Sequence, residues 1–361
     1  MCALLVNNSP LMTAYLVQQI RVFERDPVVI FDVGARDGVN SEWAVFGDQA
    51  HVYCFEPDEE ECRRLAADAP SHVHYIATAL GRSSGAATLF ETKLPYSTGL
   101  YKTRMEYFGR FLNHDNGITV GERTVVVQSL DEVVSTEGIA HIDFIKLDAE
   151  GAELDILEGA KATLAAGNFL GVLSEIRLHR EINGSPPFAS LDAFLQDHDL
   201  RLFDLSINRH SRNTLPYPQT GDHRLSSGKR FFAYTTRGQI QDGDALYFRD
   251  HLLVPARSPL DILKTSAMME IYSLNDCAAE LIDANREQLR SIVDPDRLLD
   301  LLASGIAGRK IGHREYLDNY FSDSAPAPVP TPVVVTAPVR ESQPASATPN
   351  VLERLTRWLR R

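Results

Sequence analysis

Val28, Val29, Ile30 and Phe31 form a run of β-branched and aromatic residues with no polar alternation. A strand buried on both faces of a parallel sheet reads this way, whereas a strand with one wet face alternates. The run stops at Asp32 and a glycine-bearing loop. The pattern then predicts a helix over 41–46, a second apolar strand over 51–55, and a helix opened by Asp58 with Glu61 at the capping-box spacing. Further strands are predicted over 73–79, 144–147 and 170–176, with a helix over 152–166 between the last two. Alternation of this kind specifies an α/β fold with a doubly wound, mostly parallel sheet. Segments 201–206 and 230–235 are expected to close it as antiparallel strands at one edge, joined by a long polar loop. That loop and the stretch 91–121, rich in aromatic and polar residues, are the two candidates for shaping a substrate pocket, since long connections commonly serve as lids or binding loops.

Outside this core the pattern changes. Residues 1–27 read as a helical lead-in that ends at Pro27, because the residue before a proline is pushed out of the helical region. The sheet domain is expected over 28–250. A helical appendage follows over 251–323, with Ile282, Leu289, Ile292, Leu298, Leu299 and Leu302 as its expected buried positions. Residues 324–349 carry seven prolines among Ala, Ser, Thr and Val, a composition that resists helix and ladder alike and favours an extended linker. In 350–361, Val351, Leu352, Leu355, Trp358 and Leu359 share one helical face, with Arg354, Arg357, Arg360 and Arg361 elsewhere. So short a helix is marginal alone in water. The reading is a basic amphipathic tail that folds on a protein partner or an anionic membrane surface, with a frayed end of no function as the alternative.

Charge removes one class of substrate. A formal net charge of −13 repels a polyphosphate, and no long basic run relieves it before residue 320, so nucleic acid is not an expected partner. Hydrophobic residues at 44% and charged residues at 24% describe an ordinary globular protein rather than a disordered one. Cys2, Cys54, Cys62 and Cys277 form no C-x-x-C pair and no cluster with histidines, so they read as reduced thiols, Cys54 as a small packed hydrophobe. The start of the chain lacks a basic n-region, and no stretch of about 18 uninterrupted apolar residues occurs. The expectation is a cytoplasmic protein without signal peptide or transmembrane segment.

Three segments carry chemistry. Asp32-Val33-Gly34-Ala35-Arg36-Asp37-Gly38 lies between a buried strand and a helix, where glycine permits a tight turn and a ligand can lie against main-chain amides. The dinucleotide fingerprint requires G-x-G-x-x-G, and Arg36 stands where its second glycine would be. Asp32 and Asp37 instead suit the cationic amino and sulfonium end of a methionine-type ligand; a plain strand-to-helix turn is the alternative. The next strand ends on Glu56, 18 residues past Gly38, where a carboxylate can accept both hydroxyls of a ribose. The alternative for Glu56 is a charge that complements the following helix. Finally, the run from Ile142 to Glu153 delivers Lys146, Asp148, Glu150 and Glu153 to the carboxyl end of a strand, the end at which open α/β sheets bind ligands. Asp148 and Glu150 are placed to meet ligand or substrate, and Lys146 to pair with a neighbouring carboxylate. For Glu150 and Glu153 the alternative is a solvated acid at a helix start.

Taken in order, Asp32-Val33-Gly34-Ala35, Phe55-Glu56-Pro57, Ser129-Leu130-Asp131 and Lys146-Leu147-Asp148-Ala149-Glu150-Gly151 resemble the FkbM methyltransferases. Ser174-Glu175-Ile176 is similar to the family's Val-Glu-Ile step, with Ser174 replacing the apolar residue. The likeness covers about 28–236. It implies a seven-stranded class I, Rossmann-like methyltransferase sheet with an antiparallel edge strand, and methyl transfer from S-adenosylmethionine to a hydroxyl of a saccharide or small-molecule natural product. It further implies that Asp32, Gly34, Ala35 and Gly38 contact the methionine moiety, Glu56 the ribose and Ala79 the adenine surroundings, with Asp148 also at the cofactor. Arg36 departs from the small or polar residue that many relatives carry.

Such a transfer is an in-line displacement, for which the protein aligns the acceptor oxygen and assists loss of its proton. The expected base is Asp148 or Glu150, with Glu175 and His179 at the adjacent strand end as second candidates. A variant reading sets a divalent cation between Asp148 and Glu175, but hard cations need several oxygen ligands and the sequence reveals no clear third. Two readings of other classes stand beside this one. The first is a non-catalytic cofactor-binding or scaffold module, and the second another nucleotide- or dinucleotide-binding α/β enzyme, against which the missing third glycine counts.

Overall fold

A computed structural model describes residues 4–36, 38–167, 169–215 and 238–322, together with the backbone of 222–224 and 230–232. The linker and tail readings for 324–349 and 350–361, and the reading of Asp37, lie outside the described residues. Residues up to Leu317 form one compact unit, and a second begins at Asp318.

Helix α1 (Leu11–Tyr15) runs into a π-helical turn, Leu16–Ile20, that ends where Arg21 adopts a left-handed φ of 53°. Strand β1 (Val28–Val33) is buried at every position, as its unbroken apolar run predicts. The helix expected over 41–46 is a 3-10 segment, Ser41–Gln49, interrupted by the non-helical Gly47. Next come β2 (Ala50–Phe55), α2 (Glu59–Ala66) and β3 (Val73–Ile76). Asp58 caps α2 by accepting the amides of Glu60 and Glu61 at 3.1 and 3.2 Å, the side-chain half of the expected box. The strand predicted over 73–79 divides. β3 ends at Ile76, and β4 (Ala79–Leu80) joins a second sheet of order β4-β6-β5 with β5 (Gly85–Thr92) and β6 (Thr119–Gln128). Between β5 and β6, the stretch 91–121 holds α3 (Met105–Phe108) and short 3-10 turns.

Helix α4 (Leu130–Thr136), capped by Ser129, leads to β7 (Phe144–Leu147). The single helix expected over 152–166 is two, α5 (Glu153–Glu158) and α6 (Lys161–Ala165). The break falls at Gly159, where a Cβ would stand 2.3 Å from the carbonyl oxygen of Gly81, so the two chains touch only because no side chain intervenes. Asp131 restarts the helix by accepting the amides of Ala162 and Thr163 at 2.9 and 3.0 Å. Then follow β8 (Gly171–Arg177), α7 (Phe188–Asp197), β9 (Leu200–His210), β10 (Asp222–Arg224), β11 (Arg230–Phe232) and β12 (Gln239–Arg249). The chain continues into α8 (Pro259–Ile271), α9 (Asn275–Ala284), α10 (Arg286–Leu289), α11 (Pro295–Ala307) and α12 (His313–Phe321).

The main sheet has seven strands in the order β3-β2-β1-β7-β8-β12-β9. The first five are mutually parallel, and β12 runs antiparallel to both β8 and β9. The edge differs from the expected pairing of 201–206 with 230–235. β9 is there, but its partner is β12, while β11 pairs with β10 as a separate hairpin. The amino half of β12 carries Gln239, Gln241, Asp242 and Asp244, and its fully buried apolar residues, Ala245, Leu246, Tyr247 and Phe248, all lie in the second half, so the segment reads as a central strand for just half its length.

Alternate side chains of each strand feed two cores, as a sheet covered on both faces requires. Val28, Ile30, Val52, Phe144, Leu246 and Phe248 pack with α1, α8, α9 and α11 on one face. Phe31, Val33, Ile145, Leu147, Val172 and Tyr247 pack with α4, α5, α6 and α7 on the other. Ile282, Leu289, Leu298, Leu299 and Leu302 are buried as predicted, whereas Ile292 is 37% exposed and its neighbour Val293 takes the inward place one turn after Leu289. The carboxylate of Glu270 on α8 accepts the amides of Met12 and Thr13 at 3.0 and 2.7 Å, tying α1 to the same layer. Among the described residues no helix is long and apolar enough to cross a membrane.

At the amino end of β7, Lys264 of α8 is buried with its Nζ 2.9 Å from Asp143, 3.1 Å from Asp26 and 3.1 Å from the carbonyl oxygen of Pro27. Burial works against the ionised form of Asp143, but its hydrogen bond with His141 and the charge of Lys264 outweigh it and hold the carboxyl below the usual carboxylate range. A carboxylate with a depressed pKa contributes stability above its unfolded pKa and loses it as pH falls through the folded value. Asp143→Asn is therefore expected to cost about 2 kcal/mol near neutrality. Urea unfolding at pH 7 and at pH 3 checks this: the variant's deficit narrows at acid pH, and an equal deficit at both would show that the charge contributes nothing.

Candidate active site at the carboxyl ends of the strands

Strand order reverses between β1 and β7, and open α/β sheets leave a crevice at such a point. A cavity of about 380 Å³ opens there, lined among others by Gly34, Gly38, Glu56, Ala79, Lys146, Asp148 and Glu150. The turn after β1 passes directly over the end of β7: Gly34 has φ +81°, and a Cβ on it would lie 2.0 Å from the carbonyl oxygen of Asp148. The amides of Gly34 and Ala35 donate to the Phe55 carbonyl at 3.1 and 3.2 Å, which ties the turn to the end of β2. Glu56 follows there, buried, with Oε1 accepting the Asp58 amide at 2.8 Å and lying 3.8 Å from Nη1 of Arg36. Burial pushes the Glu56 carboxyl up, and the Asp58 amide and Arg36 oppose it in part. Arg36 thus folds back on Glu56 and Asp58. Thr78, Ala79 and Leu80 form the wall where β4 leaves the main sheet.

Two expected contacts stand behind this cavity rather than on it. Asp32 is 1% exposed, and it faces Lys146, its register partner on β7, at 3.3 Å. Burial pushes the Asp32 carboxyl up to about 6, offset in part by Lys146. Lys146 in turn lies 3.4 Å from Asp148. Burial disfavours the ammonium, but Asp32 and Asp148 together hold its pKa above the ordinary lysine value. Lys146 therefore pairs with neighbouring carboxylates as expected, and Asp32 meets the cavity only through it. Ala35, 2% exposed, points its methyl into the core shared with α1 and α8.

A second cavity of about 150 Å³ adjoins the first, and Glu150 lines both. Glu150 holds a left-handed φ of 52° in the loop after β7, a conformation that costs a non-glycine residue of order 1 kcal/mol and needs support from its surroundings. Glu153 supplies support, its Oε1 accepting the amides of Ala149 and Gly151 at 3.0 Å each. Neither acid is a solvated helix-start charge. Glu150 and Glu175 converge on Nη2 of Arg177, with the two Glu175 oxygens at 2.9 and 3.0 Å, and Nη1 donates to Glu181 at 2.9 Å. Burial pushes the carboxyls of both Glu150 and Glu175 up, and Arg177 only partly offsets this.

Asp148, Glu150 and Glu175 bring one oxygen each within 4.8 Å of one another, so Glu150 is the third oxygen ligand that the sequence did not reveal. The Arg177 guanidinium already bridges two of the three, which makes the trio a poor cation site. His179, the remaining candidate base, lines neither cavity; its Nε2 is 2.8 Å from the Ile240 carbonyl oxygen and 3.1 Å from Gln239.

Sequence reasoning missed Arg177, Glu181, Asp242, Asn113 and Asn116, all of which line the second cavity. The charged run after β8 was a usable signal for the first two. Asp242 lies on β12, the strand that was not expected. The stretch 91–121 roofs both cavities: Tyr96, Thr98 and Gly99 line the larger, Thr103, Asn113 and Asn116 the smaller. It is tied down by amide bonds from Arg104 to the Glu181 carbonyl at 2.7 Å and from Leu112 to the Ser211 carbonyl at 2.9 Å. Of the other candidate loop, 216–221 and 225–229 lie outside the described residues.

The methyltransferase FkbM domain matches residues 32–202. A relative named hexuronic acid methyltransferase AglP, from Haloferax volcanii, is 28% identical over 145 residues, covering 39% of this chain and 54% of that protein. A 2-O-methyltransferase NoeI from Sinorhizobium fredii is 27% identical over 165 residues, covering 42% of this chain and 65% of that protein. The chain therefore matches between half and two thirds of the length of these relatives. Among solved structures, M. capricolum TrmK in complex with S-adenosyl-homocysteine aligns at 9% identity and a TM-score of 0.30, covering 82% of this chain and 95% of that one. The loop after β1, the acid after β2 and the acidic loop after β7 all meet at one crevice inside the segment that the methyltransferase FkbM domain matches.

Proposed function

We propose that this chain is an S-adenosylmethionine-dependent O-methyltransferase acting on a hydroxyl of a saccharide or small-molecule natural product, with the donor in the larger cavity and the acceptor in the smaller. The observation that carries the reading is the position of Glu150, on the wall common to both cavities. The residues present suit the donor. Glu56 offers a buried carboxylate to ribose hydroxyls, the backbone at Gly34 and Gly38 leaves room for the methionine part, and Thr78 and Ala79 flank the base. When bound, the donor supplies an electrophilic methyl on a sulfonium.

The chain's own residues do the rest. Glu150 accepts the proton of the acceptor hydroxyl, and burial makes it a stronger base than an exposed carboxylate. Arg177 fixes its orientation and supplies the positive charge that a divalent cation would otherwise bring. Asp148, exposed and lining the donor cavity only, is placed for the donor rather than for the proton.

Calorimetric titration of the full chain with S-adenosylhomocysteine tests the reading. Saturable binding is expected, weakened at least tenfold in Glu56→Ala, and methyl transfer to a saccharide acceptor is expected to proceed unchanged in excess chelator. Absence of saturable binding would overturn the assignment, and loss of transfer on chelation, restored by magnesium, would overturn the role given to Arg177.

A further inference from the structure

We propose that the smaller cavity selects an uncharged, polyhydroxylated acceptor and rejects acidic sugars such as uronates. This rests on the methyltransferase reading above and narrows its acceptor. Four carboxylates line the cavity, those of Glu150, Glu175, Glu181 and Asp242, against one guanidinium, that of Arg177. That guanidinium is committed: Nη2 to Glu150 and Glu175, Nη1 to Glu181. Carboxylate recognition by arginine uses two parallel N–H groups, and both such pairs of a guanidinium include Nη2, which is already taken by Glu150 and Glu175. His210 lies beside the cavity but is spent as well, 2.9 Å from Asp242, whose other oxygen takes the Asn208 amide at 2.8 Å. An incoming carboxylate would thus be desolvated among like charges with no cation to meet.

The same lining is rich in hydrogen-bond acceptors that lack donors. The Oδ1 of Asn113 is buried with no hydrogen-bond partner. Carboxylate oxygens each have room for more than one donor, and hydroxyl groups are donors that a carboxylate ligand does not provide. Ser97, Thr103 and Asn116, also in the lining, can give or receive and so adapt to the ring's remaining hydroxyls. Protonation of Glu150 or Glu175 weakens the negative field but does not reverse it, because Asp242 is held ionised: burial opposes this, and His210 and Arg177 outweigh it.

The experiment uses the full chain saturated with S-adenosylhomocysteine, titrated with matched pairs of methyl glycosides and methyl glycosiduronates in the gluco, galacto and manno series. The neutral member of at least one pair is expected to bind at least tenfold more tightly than its uronate. In Glu181→Gln, which removes the carboxylate that Nη1 of Arg177 meets, that ratio should fall at least threefold. A uronate that binds as well as its neutral twin, or saturated protein that binds no member of any pair, overturns the proposal. An unchanged ratio in a folded Glu181→Gln protein overturns it too, by removing the committed guanidinium as the cause. Failure to take up S-adenosylhomocysteine at the outset is a different result, and it rejects the parent reading instead.

Discussion

Glu150→Gln lowers kcat by about 10²- to 10⁴-fold, the range a positioned general base contributes, while S-adenosylhomocysteine affinity stays within about twofold. The amide keeps the size of the side chain and much of its polarity, so the roof and the Arg177 pairing survive. What it loses is the ability to take a proton from a hydroxyl on the acceptor side. Because burial raises the proton affinity of Glu150, the base becomes active only as pH climbs above the ordinary carboxylate range. The wild-type kcat/KM profile should therefore rise toward neutrality and above, and the residual rate of the variant should lack that limb. A Glu150→Gln enzyme with a parallel, undiminished pH profile would move the proton transfer elsewhere, with Glu175, the other candidate base that lines the smaller cavity, the next residue to substitute.

Gly34→Ala is expected to weaken S-adenosylhomocysteine at least 100-fold and to lower the melting temperature by several degrees. Two effects act together. An alanine at φ +81° is strained by about 1 kcal/mol or more, and its methyl would have to displace the Asp148 carbonyl from 2.0 Å to van der Waals distance. That carbonyl belongs to backbone next to β7, where the Asp148 amide bonds to Val33 at 3.2 Å, so the shift separates the two strand ends that form the crevice. Calorimetry and thermal unfolding of the same sample separate the contributions. Normal affinity in a merely less stable protein would show that the turn is not the donor's cradle.

The centre of this architecture was open to inspection before any coordinates. Val28 to Phe31 is a continuous apolar run, and Phe144 to Leu147 is one broken only by Lys146, because both faces of the sheet are covered, and such runs leave few alternatives. Gly34 and Glu56 were legible for a related reason, since they directly follow β1 and β2 at the end of the sheet where the crevice lies. Asp32 was misplaced because the residue that shields it, Lys146, belongs to another strand, and their register pairing spans 114 positions. Arg177 was invisible as a hub since its three carboxylate partners come from a loop, its own strand and the segment beyond it. β12 escaped notice because its polar first half satisfies the crevice rather than the core.

The Glu270 link to α1 has a consequence during synthesis. The amide of Met12 and the carboxylate that receives it are separated by 258 residues, so a ribosome must travel that far before α1 can dock. At about 5–20 residues per second, the wait is on the order of tens of seconds. Throughout it, the side of the nascent sheet that carries Val28, Ile30 and Val52 has no helical cover from α8, α9 or α11. The emerging polypeptide thus keeps that apolar face uncovered until α8 is made, and slowing translation before α8 is expected to lengthen its most aggregation-prone interval.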